Sequence, residues 1–195
     1  MAESNPNCYL VDDVLETLQG LAQLHRSQFD IPLIALTGSN GKTTTKALMH
    51  AVLGTTHNVL ATNGNLNNHI GVPLTLLRLK PVHSHAIIEM GANHIKEIAF
   101  LCEITQPTHG LITNVGKAHL KGFGYEKDEL KGKTELYDFI KKKNGLIFVN
   151  EDDNKLFKTI GDIEHITYKP SEFRIVKEQP TLKLLCQSIE IPNNL

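Results

Sequence analysis

The stretch Ile34-Ala35-Leu36-Thr37-Gly38-Ser39-Asn40-Gly41-Lys42-Thr43-Thr44-Thr45 decides the fold. Leu33 to Leu36 is a short apolar run bounded by turn signals, which reads as a buried strand. Gly38 and Gly41 bracket Ser39-Asn40, and Lys42-Thr43 opens a segment in which Ala47, Leu48, Ala51 and Val52 recur at helical spacing. Strand, glycine loop, Lys-Thr and helix together make a phosphate cradle. The glycines let backbone N–H groups approach phosphate oxygens, and the helix N-terminus adds partial positive charge. Gly38, Ser39, Asn40, Gly41, Lys42, Thr43 and Thr44 would then wrap a nucleotide's phosphates. Lys42 would meet the β- and γ-phosphates as a point charge, and the Thr43 hydroxyl would ligate Mg²⁺. The spacing is shortened: G-x-x-x-x-G-K-[ST] requires glycine at position 36, where Leu36 stands. A glycine-containing turn before an ordinary helix is the plainer alternative.

Working outward, strands alternate with helices, which implies an α/β fold with a mostly parallel sheet covered by helices on both faces. Upstream, apolar residues from Leu10 to Leu24 recur at helical spacing, so an amphipathic helix spans Tyr9 to Arg26, with Asp12 and Asp13 in its first turn. Downstream, Asn58 to Thr62 reads as a short strand. Asn63-Gly64-Asn65-Leu66-Asn67-Asn68-His69-Ile70-Gly71 then gives either a polar recognition loop or plain turns, and a helix starts near Pro73. His85 to Glu89 reads as a buried strand ending in a carboxylate, followed by a glycine turn and a helix through Ile95, Ile98 and Leu101. Ligands of open α/β sheets sit outside the carboxyl ends of strands, so Glu89 is placed to share a metal with Thr43, unless it is simply exposed. His119 follows the strand-like run His109–Gly116 in a glycine-flanked loop, either as a ligand or as a surface histidine. A charged helix runs from Tyr125 to Lys142, Leu146 to Asn150 is one more buried strand, and an acidic turn spans residues 151–154. Ile163–Tyr168, Arg174–Val176 and Leu182–Ile189 also read as strand-like.

The chain of 195 residues is long enough for one such domain and some extra, and a 41% hydrophobic content argues against disorder. Formal net charge is −1 with no face-sized basic block, which disfavours nucleic acid as a partner. Three dispersed cysteines without a C-x-x-C pair fit reduced thiols, and no apolar stretch suits a signal peptide or membrane span. A cytoplasmic protein without membrane insertion is the expectation.

Several motifs in order resemble the central ATP-binding domain of the Mur ligase family. They are the loop T-G-x-x-G-K-T-T, the run Gly64 to Pro73, Glu89-Met90-Gly91-Ala92-Asn93-His94, and Asn114 to Leu120 with Gly122-Phe123-Gly124. The resemblance covers Val11 to Asn154 and is to the member that joins D-Ala-D-Ala to UDP-N-acetylmuramoyl-tripeptide through an acyl phosphate, at the expense of ATP, in peptidoglycan synthesis. It implies that Glu89 binds Mg²⁺ and that His119 is a ligand to a second metal ion. It also implies a lysine whose carbamate acts as an extra carboxylate. Lys133-Thr134-Glu135-Leu136-Tyr137 fits that lysine's motif with Thr134 in place of glycine, while Lys131-Gly132 is the rival. Carbamate formation needs a neutral amine, hence a desolvated lysine. By the same resemblance Asn150 and Asp153 lie near the nucleotide base and ribose, and Asn67 and Asn68 contribute to the muramyl-peptide site. Residues 1–30 would be a connector helix from a missing N-terminal domain, and residues 31–195 a truncated central domain without its C-terminal partner. Such a piece would bind nucleotide weakly and ligate nothing alone. The alternatives are a folylpolyglutamate synthase-like or other Mur-type ligase, and a regulatory nucleotide-binding module.

Overall fold

Along the central strand, Leu33 and Ala35 belong to one apolar cluster and Leu36 to another. This two-residue period sets the layers of the domain. The structure, a computed structural model, describes residues 8–116, 126–169, 174–175 and 184–185. Its elements are α1 (Val14–Arg26), β1 (Leu33–Thr37), α2 (Lys42–Leu53), β2 (Val59–Ala61), α3 (Gly71–Leu76), β3 (His85–Glu89) and α4 (Glu97–Thr105). β4 (His109–Ile112), α5 (Glu126–Lys142), β5 (Leu146–Asn150), α6 (Asn154–Phe157), β6 (His165–Tyr168), β7 (Arg174–Ile175) and β8 (Leu184–Leu185) follow.

Six strands form one sheet in the order β2-β3-β1-β4-β5-β6, every pair parallel, while β7 and β8 make a separate antiparallel pair. A parallel sheet must be covered on both faces. On one face, Leu33, Ala35, Ala86, Ile88, Ile112, Ile147 and Val149 join residues of α1, α3, α4 and α5 in the larger cluster. On the other, Leu36, Ile87 and Leu111 pack with Met49 and Leu53 of α2, and with Phe148 and Tyr168. The expected two-sided α/β architecture is what forms. The chain reverses direction across the sheet at β1, whose neighbours are β3 and β4. The crevice at the carboxyl end of β1 is therefore the topological position for a ligand.

Some element boundaries differ from expectation for local reasons. The first helix begins at Val14, because Asp13 is its cap: the carboxylate accepts from Glu16 N at 2.8 Å instead of sitting inside the first turn. Only part of its apolar face packs: Ala22 is fully buried in the larger cluster. Val14, Leu21 and Leu24 are more than half exposed, and polar side chains anchor the helix. Gln19 donates to His69 O at 3.0 Å, Gln23 to Glu103 O at 2.9 Å, and the buried Arg26 to Thr105 O at 3.1 Å. The third helix starts at Gly71, ahead of Pro73, because Asn68 Oδ1 accepts from Ile70 N and Gly71 N and starts the turn early. Pro73 is tolerated there since first-turn N–H groups have no intrahelical acceptor. Asn154, expected as the end of a turn, instead opens α6, which is capped by Asp153. Among the described residues no helix is long and apolar enough to cross a membrane. Cys102 is buried and reduced, its thiol pushed up by burial; Cys8 is exposed and also reduced. Cys186 lies outside the described residues.

Candidate active site

Gly38 leaves β1 with φ 145° and Gly41 enters α2 with φ 78°, so both glycines hold backbone that L side chains rarely adopt. Gly41 caps α2 without a side-chain hydrogen bond, which leaves the first turn, Lys42 to Thr44, open to an anion. The loop is held from behind by the strand end of β4. Ser39 N donates to Asn114 O at 3.0 Å, Asn40 N to Asn114 Oδ1 at 3.1 Å, and Thr113 Oγ1 to Asn40 O at 2.7 Å. Lys42 folds over the loop and donates to Gly38 O at 2.6 Å. Burial pulls its ammonium below the usual lysine range, against the attraction of Glu89 and Glu129.

Glu89 ends β3 one strand away and is almost fully buried. Thr43 Oγ1 donates toward its two carboxylate oxygens at 3.2 and 3.1 Å. Two neighbouring ligands of an octahedral Mg²⁺ with bonds of ~2.1 Å stand about 3.0 Å apart, so this hard-oxygen pair fits that cation. Asn67 Nδ2 donates to Glu89 Oε1 at 2.8 Å, and Thr62 Oγ1 accepts from Glu89 N at 3.0 Å.

Opposite the loop, α5 contributes Lys133, whose side chain is fully buried and donates to Ala92 O at 3.2 Å. Burial, and then the charge of Lys42, pull its ammonium down to about 8, while Glu129, Glu97 and Glu135 oppose the shift. The rival Lys131 is exposed, so only Lys133 has the desolvation that a neutral amine needs. Thr134, the departure from glycine, fits without strain and donates to Lys131 O at 3.1 Å. Glu129, one turn before Lys133, is also fully buried. Its Oε1 accepts from Ser39 Oγ at 2.5 Å, and its Oε2 has no hydrogen-bond partner.

The structure thus brings together Gly38 to Thr44, Glu89, Asn67 and Lys133. A cavity of about 370 Å³ opens beside them, lined by Lys42, Asn67, Asn68, His69, Asn93 and Glu97 among others. Both expected substrate asparagines line it, yet each already holds the protein: Asn67 orients Glu89, and Asn68 starts α3. Asn150 and Asp153 lie at the same carboxyl edge of the sheet, two strands from β1. Asn150 Oδ1 accepts from Asp152 N at 2.9 Å, and Asp153 caps α6. His119 lies outside the described residues, as does the rest of 117–125. Among the described residues, no three of His, Cys, Asp and Glu converge on a metal position.

Two site residues escaped the sequence reading. Lys46 is buried, makes an ion pair with Glu89 Oε2 at 2.9 Å and donates to Gly64 O at 2.6 Å. Its signal was its place four residues after Lys42, on the same helix face. Glu129 carries the matching signal, four residues before Lys133.

Comparison with known proteins agrees with this geometry. The profile of the Mur ligase middle domain matches residues 36–191. The UDP-N-acetylmuramoyl-tripeptide–D-alanyl-D-alanine ligase of Escherichia coli is 43% identical over 145 residues, which is 74% of this chain and 32% of that protein. Its Synechocystis counterpart is 50% identical over 128 residues, 66% of this chain and 28% of the relative. The chain therefore spans about a third of the length of the curated relatives it matches. Among solved structures, MurF from Acinetobacter baumannii superposes with TM-score 0.78 at 34% identity, covering 87% of this chain and 39% of that one. MurF from Thermotoga maritima, solved in complex with ADP, gives 0.77 at 30%, covering 85% and 39%. With its profile match running from the end of β1 to residue 191, the chain belongs to the Mur ligase family, as a member of its middle-domain group.

Proposed function

We propose that this chain provides the phosphate- and metal-binding centre of an ATP-dependent ligase that joins D-Ala-D-Ala to UDP-N-acetylmuramoyl-tripeptide. The observation that carries the reading is the Thr43 hydroxyl set 3.1–3.2 Å from Glu89, directly behind an uncapped glycine loop. The loop N–H groups and Lys42 hold the ATP phosphates, and Lys42 moves from Gly38 O to the transferring phosphoryl group. Thr43 and Glu89 would hold Mg²⁺, which would supply charge neutralisation at the phosphates. Lys133, held partly neutral by burial, can take up CO₂ as a carbamate and so present a further carboxylate. His119 is assigned to a second metal ion, Asn150 and Asp153 to the base and ribose, and Asn67 and Asn68 to the peptide side of the cavity.

In the reaction, the tripeptide carboxylate attacks the γ-phosphorus of ATP, forming an acyl phosphate and releasing ADP. The D-Ala-D-Ala amine then adds to the acyl carbon. The tetrahedral intermediate loses phosphate and a proton, leaving the amide. Charge neutralisation and positioning supply most of the rate in such transfers, which is what Lys42, Thr43 and Glu89 are arranged to do. Since the chain spans only about a third of the length of its relatives, we assign the complete ligation to the longer architecture and nucleotide binding to this part. The test is calorimetric titration of Mg-ATP into the chain and into Lys42→Ala. Binding that weakens at least tenfold in the variant supports the reading, whereas equal binding to both refutes it.

A further inference from the structure

Lys46 has no role in the scheme above, yet it is the one buried residue of α2. A lysine is rarely buried without a paired charge, and this one is satisfied from two directions. Its ammonium lies 2.9 Å from Glu89 Oε2 and donates to Gly64 O at 2.6 Å. Glu89 Oε1 is held separately, by Asn67 Nδ2 at 2.8 Å. The backbone around Asn67 is tied back to the same strand end: Gly91 N donates to Asn67 O at 2.7 Å, and a Cβ on Gly91 would meet Asn67 Oδ1 at 2.8 Å. The two carboxylate oxygens are thus clamped by different elements, α2 and the asparagine loop. Lys46 joins both to the helix that carries Thr43, one turn away.

We propose that Lys46 is a positioning residue that fixes Glu89 as a metal ligand and locks the loop 63–68 to the nucleotide helix. This rests on the proposed function for the identity of the metal–nucleotide ligand. The rigid carboxylate spares the cation the work of ordering its own ligand. The Gly64 contact gives the asparagine side of the cavity a fixed relation to the phosphate loop, so metal occupancy and the shape of the peptide side are coupled through one ammonium.

The test compares the full chain with Lys46→Met and with Lys46→Met/Glu89→Gln, the latter set against Glu89→Gln alone. First, ATP affinity is measured calorimetrically at a series of Mg²⁺ concentrations. Lys46→Met should raise the Mg²⁺ concentration at half-effect about tenfold or more, while leaving Mg²⁺-free ATP affinity unchanged. A merely structural lysine would move both or neither. Second, hydrogen exchange is followed at the amides of Leu66, Asn67 and Gly91. The double variant carries no uncompensated buried carboxylate, so it keeps its fold, and its exchange there should exceed that of Glu89→Gln. An unchanged Mg²⁺ midpoint in Lys46→Met with normal wild-type binding overturns the positioning role alone. Unchanged loop exchange in the double variant overturns the coupling, whether or not nucleotide binds. Wild-type chain that ignores Mg-ATP would instead strike the proposed function.

Discussion

Replacing Lys133 with methionine removes an ammonium that the fold buries completely, and should make the chain more stable at neutral pH. The sign follows from linkage. Burial lowers the Lys133 ammonium from 10.5 to about 8, so between those values the unfolded chain binds a proton that the folded chain does not. Stability from this group therefore rises with pH across that window. Below about 8 the folded state carries the full cost of the buried charge; above about 10.5 both states are neutral and the cost is gone. At 1.36 kcal/mol per unit, the shift integrates to about 2.5 kcal/mol between pH 7 and pH 10. The methionine variant lacks this dependence, so the stability difference between the two proteins should shrink by that amount over the interval. Urea unfolding at pH 7, 8, 9 and 10 in CO₂-free buffer measures it, with the titrating groups remote from Lys133 cancelling in the difference. In thermal scans the gap should close by roughly 5–10 °C for a chain of this size. A gap that stays constant from pH 7 to 10 would show that Lys133 titrates normally, and would remove the physical basis for a neutral, CO₂-reactive amine here.

The remaining predictions test the same site from other sides. In ¹³C-bicarbonate at pH 8, the chain should show a carbamate carbon signal that is absent in Lys133→Ala and retained in Lys131→Ala; a signal that follows Lys131 would reverse the assignment. Gly38→Ala should cost about 2–4 kcal/mol, because the added Cβ would lie 1.9 Å from Thr113 Oγ1 at a φ of 145°. Part of that loss should return in Gly38→Ala/Thr113→Ala, read by urea midpoint, since the hydroxyl is the nearest obstacle. Full recovery would assign the whole cost to the clash and none to backbone strain.

The parts of this fold that the sequence made legible are those in which the information is local. Leu146 to Asn150 is a continuous apolar run between turn signals, and it forms a strand with the expected ends. The glycine loop declares its backbone needs through Gly38 and Gly41, and both adopt positive φ. Glu89 could be placed because strand ends in a parallel sheet all point to one edge, so position along the chain gives position in the site. Periodicity located helices better than their buried faces: in α2 the spaced Ala47, Leu48, Ala51 and Val52 are exposed, while Met49 and Leu53 pack on the sheet. The spacing of Val14, Leu21 and Leu24 describes a real stripe, but the helix is anchored through Gln19, Gln23 and Arg26, whose acceptors lie 50 to 80 residues away.

Lys46 and Glu129 were opaque for a related reason, and they show what kind of residue a one-dimensional reading misplaces. A lysine on a helix is by default solvated, and a glutamate on a charged helix is by default exposed. Each default holds only while the side chain has water to face. At the carboxyl edge of this sheet Glu89 and Lys133 are buried beside the half-buried Lys42, and a buried charge there must find a partner or shift its protonation. Glu89 finds Lys46 and Asn67; Lys133 shifts. One oxygen of Glu129 accepts from Ser39 while the other is unmet. Local rules fail together at this edge because the fold buries several charged side chains next to one another there, and each must be satisfied by residues distant in the sequence.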